Sequence, residues 1–120
     1  MKYFLIILLF SLMAIPSCYY DSEENLYPPV DCKTSDVSYA NEVKPIIDIS
    51  CNSCHSASEN QGFVILEAHS DILKYANNGS LVGSIEHKSG WSAMPKSASK
   101  LDACKIDKIT SWVNAGAPNN

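Results

Sequence analysis

The chain has no internal repeat, no collagen pattern and no long tract of a single residue, which excludes solenoid, fibrous and low-complexity architectures. It has no excess of positive charge. The formal net charge is −4, and removal of Lys2 with an N-terminal leader would leave the rest more acidic, so nucleic acid is not an expected partner. No paired carboxylates, no nucleophile beside a base and no phosphate-cradling glycine loop stand out, so hydrolytic and group-transfer chemistry has no visible residues. The apolar run Phe4 to Ile15, broken only by Ser11, is about a dozen residues and too short to cross a bilayer.

What is present is concentrated in five residues. Cys51-Asn52-Ser53-Cys54-His55 is a C-x-x-C-H segment, the spacing at which two thiols add across the two vinyl groups of haem while the adjacent imidazole reaches the iron. C-x-x-C alone also serves structural zinc sites and thioredoxin-like dithiols. Zinc would need a second ligand pair at similar spacing, and Cys18, Cys32 and Cys104 stand singly and far apart. A redox dithiol normally follows a strand, whereas Val43 to Ser50 has helical spacing. The expected cofactor is one covalent haem c.

The N-terminus supplies the compartment that such attachment requires. Lys2 is a short basic region, Phe4 to Ile15 an apolar one, and Ile15-Pro16-Ser17-Cys18 a lipobox-like end. The expected organisation is a lipoprotein signal peptide over 1–17, a tether over 18–31 and a folded domain over 32–120. Lipidated Cys18 would carry the two or more acyl chains that stable anchoring takes. The tether is polar and acidic at Asp21, Glu23 and Glu24 and contains Pro28-Pro29. Ordinary signal cleavage with a free Cys18 is the alternative. The expected location is outside the cytoplasm, lipid-anchored to a membrane on its periplasmic face or at the cell surface.

Five cysteines is an odd number for an exported chain. With Cys18 assigned to lipid and Cys51 and Cys54 to haem, Cys32 and Cys104 are left to pair in an oxidising compartment, or to remain as two buried thiols. Their bridge would close a loop of about 70 residues, worth roughly 4 kcal/mol in the chain-entropy model.

After removal of the leader roughly 100 residues remain, enough for one domain with one core. The expected class is all-α, with about three to five helices and long loops. A first helix is predicted from near Tyr39 to Ile49, with Val43, Ile46 and Ile47 at helical spacing and Pro45 limiting its first turns. Phe63-Val64-Ile65-Leu66 is too short to classify. Ser70 is the expected cap of a second helix that Asn77-Asn78-Gly79 stops. Gly79 to Ser99 is expected to be a long loop with at most a short helix around Leu81 to His87. Ser99 is the candidate cap of a last helix with Ile106, Ile109, Trp112 and Val113 as its apolar stripe, closed by Gly116 and Pro118.

Tyr39-x3-Val43-Lys44-Pro45-Ile46, Cys51-x2-Cys54-His55, Met94-Pro95 and Ile109-x2-Trp112-Val113-x-Ala115-Gly116-Ala117 together resemble the class I cytochromes c. The likeness is closer to the single-haem cytochrome c lipoproteins of Gram-negative bacteria and covers about Asp31 to Asn120. It implies a small cytochrome c-like fold in which the terminal helices cross with Trp112 at or near the crossing. It further implies thioethers at Cys51 and Cys54, His55 as proximal ligand and Met94 as distal ligand.

Coordination chemistry reaches Met94 separately. A thioether is a soft ligand that favours ferrous iron, and Met1 and Met13 would leave with the leader. His69 and His87 compete for that role, although both are expected to face solvent on or near a helix. Trp91 could be a cofactor wall or loop packing. Lys88, Lys96 and Lys100 could form a docking patch for an acidic partner or simply a solvated face.

The expected function is outer-sphere electron transfer between redox proteins of the cell envelope, by a monomer that is not itself an enzyme. A haem-based sensor of small ligands, or a haem domain serving a peroxidase-like enzyme, are the alternatives. Binding of carbon monoxide separates them.

Overall fold

The computed structural model describes residues 32–120. The signal peptide, Cys18 and the tether expected over 1–31 lie outside the described residues. Among the described residues the chain is helical, with no strand. A wide turn at Tyr39–Val43 runs into α1 (Lys44–Ser50), and α2 (Asn52–His55) follows after Cys51. A short 3₁₀ turn at Gln61–Phe63 precedes α3 (His69–Asn77), α4 (Ser80–Ile85) and α5 (Ala103–Asn114). No helix among these is long and apolar enough to cross a membrane.

The predicted first helix is present, and Pro45 explains its opening. Proline offers no N–H, and its ring crowds the carbonyl four residues back. The chain before it widens by one residue: the Val43 N–H reaches the Ser38 carbonyl at 3.2 Å and the Lys44 N–H the Tyr39 carbonyl, both five positions back. Ser38 Oγ caps this turn by accepting from the Asn41 N–H at 3.3 Å. Val43 and Ile47, four apart, face inward and are fully buried, while Ile46 is half-buried.

Both expected side-chain caps need correction. α3 begins two residues earlier than expected, at His69 with Ala68 as its cap, and the His69 ring is engaged by the Ala117 carbonyl. Ser70 therefore lies inside the first turn. α5 is capped by Asp102, whose Oδ1 accepts from the Lys105 N–H at 3.0 Å, rather than by Ser99. A carboxylate immediately before the helix satisfies an orphan donor and meets the positive end of the helix dipole. The stops fall where expected. Gly79, at φ +81°, ends α3 and turns the chain directly into α4, and Gly116, at φ +92°, follows α5.

Trp112, Ile109, Ile47, Ile72 and Val43 are the largest fully buried side chains of one core. Each contributes about 1.5–3 kcal/mol through apolar surface removed from water. α5 packs across the Tyr39–Val43 turn, with the Tyr39 and Trp112 rings stacked at 5.6 Å between centroids. The same seam holds the two ends of the described chain together. The Ala40 N–H reaches the Asn120 main-chain oxygen at 2.9 Å, the Tyr39 N–H reaches Asn120 Oδ1 at 2.8 Å, and Lys108 pairs with Glu42 at 3.0 Å. Cys32 and Cys104 lie with their sulfurs at bonding distance and their Cα atoms 5.6 Å apart.

Candidate cofactor site

α1 delivers the chain into Cys51, and the short α2 sets the spacing that follows. The Cys54 and His55 N–H groups both reach the Cys51 carbonyl at 3.0 Å, so the two thiols and the imidazole occupy one turn. The thiols of Cys51 and Cys54 are free, in contrast to Cys32 and Cys104. Burial, with the negative charge of Asp48 second, pushes the Cys51 thiol up to about 11. It is protonated at neutral pH, the reverse of the low-pKa thiolate on which a dithiol oxidoreductase relies.

The segment that could not be classified from sequence turns out to position His55. Val64 to Leu66 runs extended beside α2, where the Leu66 N–H donates to the His55 carbonyl at 2.8 Å and His55 Nδ1–H donates to the Val64 carbonyl at 3.3 Å. Gly62 at φ +65° and Phe63 at φ +58° make the sharp return that brings Val64 there. A left-handed phenylalanine is uncommon, and this one leaves its ring 90% exposed. The bond at Nδ1 fixes the tautomer of His55 and leaves Nε2 with its lone pair free, as in histidines that ligate metals.

The other two histidines are committed elsewhere. His69, expected to face solvent, is half-buried: its Nε2–H donates to the Ala117 carbonyl at 2.9 Å, and its ring meets Tyr39 edge-on at 4.7 Å. It belongs to the end seam. His87 is exposed as expected, and its Nε2–H donates to the Met94 carbonyl at 3.0 Å. Of the three, His55 alone has Nε2 uncommitted.

Two adjoining hollows, about 630 and 270 Å³, open on this turn and share Cys51, His55, Val64, Ile85, Ser92 and Met94. Cys54, Pro95, Lys96 and Leu101 help to line the larger, and Leu66, Leu81 and Trp91 the smaller. Together they form a mostly apolar cleft of the size cofactors occupy, with a few polar groups at defined points. Met94, about 40 residues beyond the motif in a long loop, is thus returned to the same cleft.

Trp91 is both wall and packing. Its indole lies over Gly83 of α4 so closely that a β-carbon there would fall 2.6 Å from its Cγ. The lysines do not make a uniform positive patch. Lys88 pairs with Glu86, and Lys88 and Lys100 border a separate shallow hollow that also holds Asp107. Lys96 lies on the cleft and donates to Ser92 Oγ at 2.9 Å.

The donor set fits a covalent haem on its own chemistry: two free thiols and an oriented imidazole on one turn, and a thioether on the same apolar cleft. Among the described residues no three His, Cys, Asp or Glu side chains converge as a closed metal site. Sequence reasoning missed the groups that aim these side chains, the Val64 carbonyl that accepts from His55 and the Ser84 carbonyl that accepts from the Met94 N–H at 3.0 Å, because backbone acceptors carry no sequence signature. Gly83 did leave one, as a glycine inside a helix, where it costs about 1 kcal/mol relative to alanine and so signals a close approach. Comparison with protein-family models, curated proteins and solved structures returns no match for this chain.

Proposed function

We propose that this chain is a single-haem c-type cytochrome, an exported and lipid-anchored electron carrier of the cell envelope rather than an enzyme. The observation that carries this reading is the placement of His55: the only histidine with a free Nε2 sits on the turn of both free thiols, in a cleft that also receives Met94. When bound, haem supplies a one-electron ferric/ferrous couple. Cys51 and Cys54 would hold it by thioethers, each S–H adding across one vinyl double bond, sulfur to one carbon and hydrogen to the other, with no oxidant consumed. His55 would fill the proximal position and Met94 the distal one, leaving none for a substrate. The apolar walls from Leu66, Leu81, Ile85 and Trp91 limit water at the site, and the soft thioether favours the reduced state.

Lipidation of Cys18 and the acidic tether complete the proposal and lie in 1–31. Redox proteins of the envelope are the proposed partners, and the membrane is reached through the lipid.

Denaturing electrophoresis of envelope fractions with haem staining tests the core of the proposal. Colour that stays with the protein band is expected, and C51A/C54A should remove it. A colourless band, or zinc recovered with the protein, refutes covalent haem. In the purified protein the ferric form should show the weak far-red charge-transfer band of a thioether ligand, and the ferrous form should bind carbon monoxide poorly. M94A should abolish that band, lower the potential and admit carbon monoxide. Ready binding by the wild type would instead favour a ligand sensor.

A further inference from the structure

We infer that His87 is a positioning residue for Met94, holding the loop so that the thioether stays presented to the cleft; this rests on the haem reading above. Met94 itself is only half-buried, and its neighbours Ser92, Ala93 and Lys96 are exposed, so packing alone does not fix it. Its main chain is held instead by Ser84 in the last turn of α4 and by His87 just beyond that helix. The Met94 N–H donates to the Ser84 carbonyl at 3.0 Å, and His87 Nε2–H donates to the Met94 carbonyl at 3.0 Å. The base of the loop is closed by the Lys88 N–H on the Gly83 carbonyl at 2.9 Å, while Trp91 lies across Gly83.

The backbone of His87 is part of the device. At φ +55° it is in the left-handed region, sparsely used by residues other than glycine, and the ring reaches seven residues ahead to close the loop. While Nε2 carries a proton held by a carbonyl, that nitrogen has no lone pair for iron, so the contact that positions Met94 also removes His87 Nε2 from competition for it. A bond at the ligand's own carbonyl restrains the ligand's main chain without touching its sulfur. Loss of the bond would let the Met94 segment leave the cleft more often.

The test uses the full-length haem-loaded protein and the variants H87A, H87Q, H87N and M94A. Readouts are the far-red charge-transfer band, the rate of carbon monoxide binding to the ferrous form, and hydrogen exchange at the Met94 amide. With one net hydrogen bond removed, H87A should raise both the carbon monoxide rate and the amide exchange rate roughly three- to tenfold and weaken the band. H87Q, whose side-chain N–H can occupy the place of imidazole Nε2–H, should return all three towards wild type. H87N, with a shorter arm, should fall between, and it carries the comparison should H87A mature poorly.

A wild-type band, carbon monoxide rate and amide exchange in H87A would overturn the inference while leaving the haem reading intact. A six-coordinate spectrum that survives in M94A but is lost in H87A would also overturn it, by making His87 the ligand. A wild-type protein without haem stain would refute the haem reading, and the inference with it.

Discussion

At the seam where the two ends of the domain meet, Trp112 is fully buried, Tyr39 stacks on it, His69 closes the edge and Asn120 receives two main-chain N–H groups. At the other side, the loop that carries Met94 is mostly exposed and is held by single hydrogen bonds to Ser84 of α4 and to His87 just beyond it. The seam is over-determined: stacking, burial, a cysteine pair and an ion pair all favour the same arrangement, so its geometry is expected to survive the loss of any one. The loop is determined just enough. Its contacts stabilise the fold little, yet each bears on where the thioether lies. Stability and site geometry are therefore expected to respond to different substitutions.

The largest loss is expected at the seam. W112A removes a fully buried indole and the partner of Tyr39, and should cost about 3–5 kcal/mol in denaturant unfolding, a large fraction of the stability of so small a domain. A cost under about 1 kcal/mol would mean that the seam is not the stabilising region. Next, C32S/C104S reopens a loop spanning 72 positions and should lower stability by about 4 kcal/mol, chiefly by freeing the unfolded chain. On the haem reading proposed above, haem should stay attached, because neither cysteine lines the cleft. Loss of haem from that variant would show that the two regions are coupled.

G83A sharpens the contrast from the loop side. The added methyl cannot coexist with the present Trp91 position, but Trp91 is 43% exposed and can swing outward, and alanine gains about 1 kcal/mol of helix preference over glycine. Unfolding free energy should change by less than about 1 kcal/mol, while on the proposed haem reading the far-red band should weaken and carbon monoxide should bind faster.

The smallest effect is expected at Glu42. The Ser38 N–H, followed by the Lys108 ammonium, holds its carboxyl below the usual glutamate range. A folded-state value below the unfolded one gives stability that is present above the ordinary glutamate range and lost as pH falls through the lowered one. E42Q should therefore cost under about 1 kcal/mol at neutral pH and flatten the acid limb of the stability profile. Equal cost at pH 7 and at pH 3 would contradict the ionic account.

Much of the seam was legible beforehand. The stripe Ile106, Ile109 and Trp112 repeats at helical spacing and is buried as its period requires, and the same holds for Val43 and Ile47. Counting left Cys32 and Cys104 either to pair or to remain as two buried thiols, and their sulfurs lie at bonding distance. The cleft was legible only as a parts list. Cys51, Cys54, His55 and Met94 could each be named from residue type and spacing, because their chemistry resides in the side chain. Which histidine keeps a free Nε2 could not be read, since that depends on which carbonyl each ring meets.

The sequence by itself determined the helical class, the five-residue motif and the identity of the candidate donors. Those properties reside in local periodicity and in side-chain chemistry. Tertiary structure decided the rest: that His69 closes the seam, that Val64 orients His55, that Gly83 admits Trp91, and that His87 holds the peptide of Met94. Three of those contacts are made with backbone carbonyls. Every residue carries a carbonyl, so only the folded chain selects which ones a ring can reach.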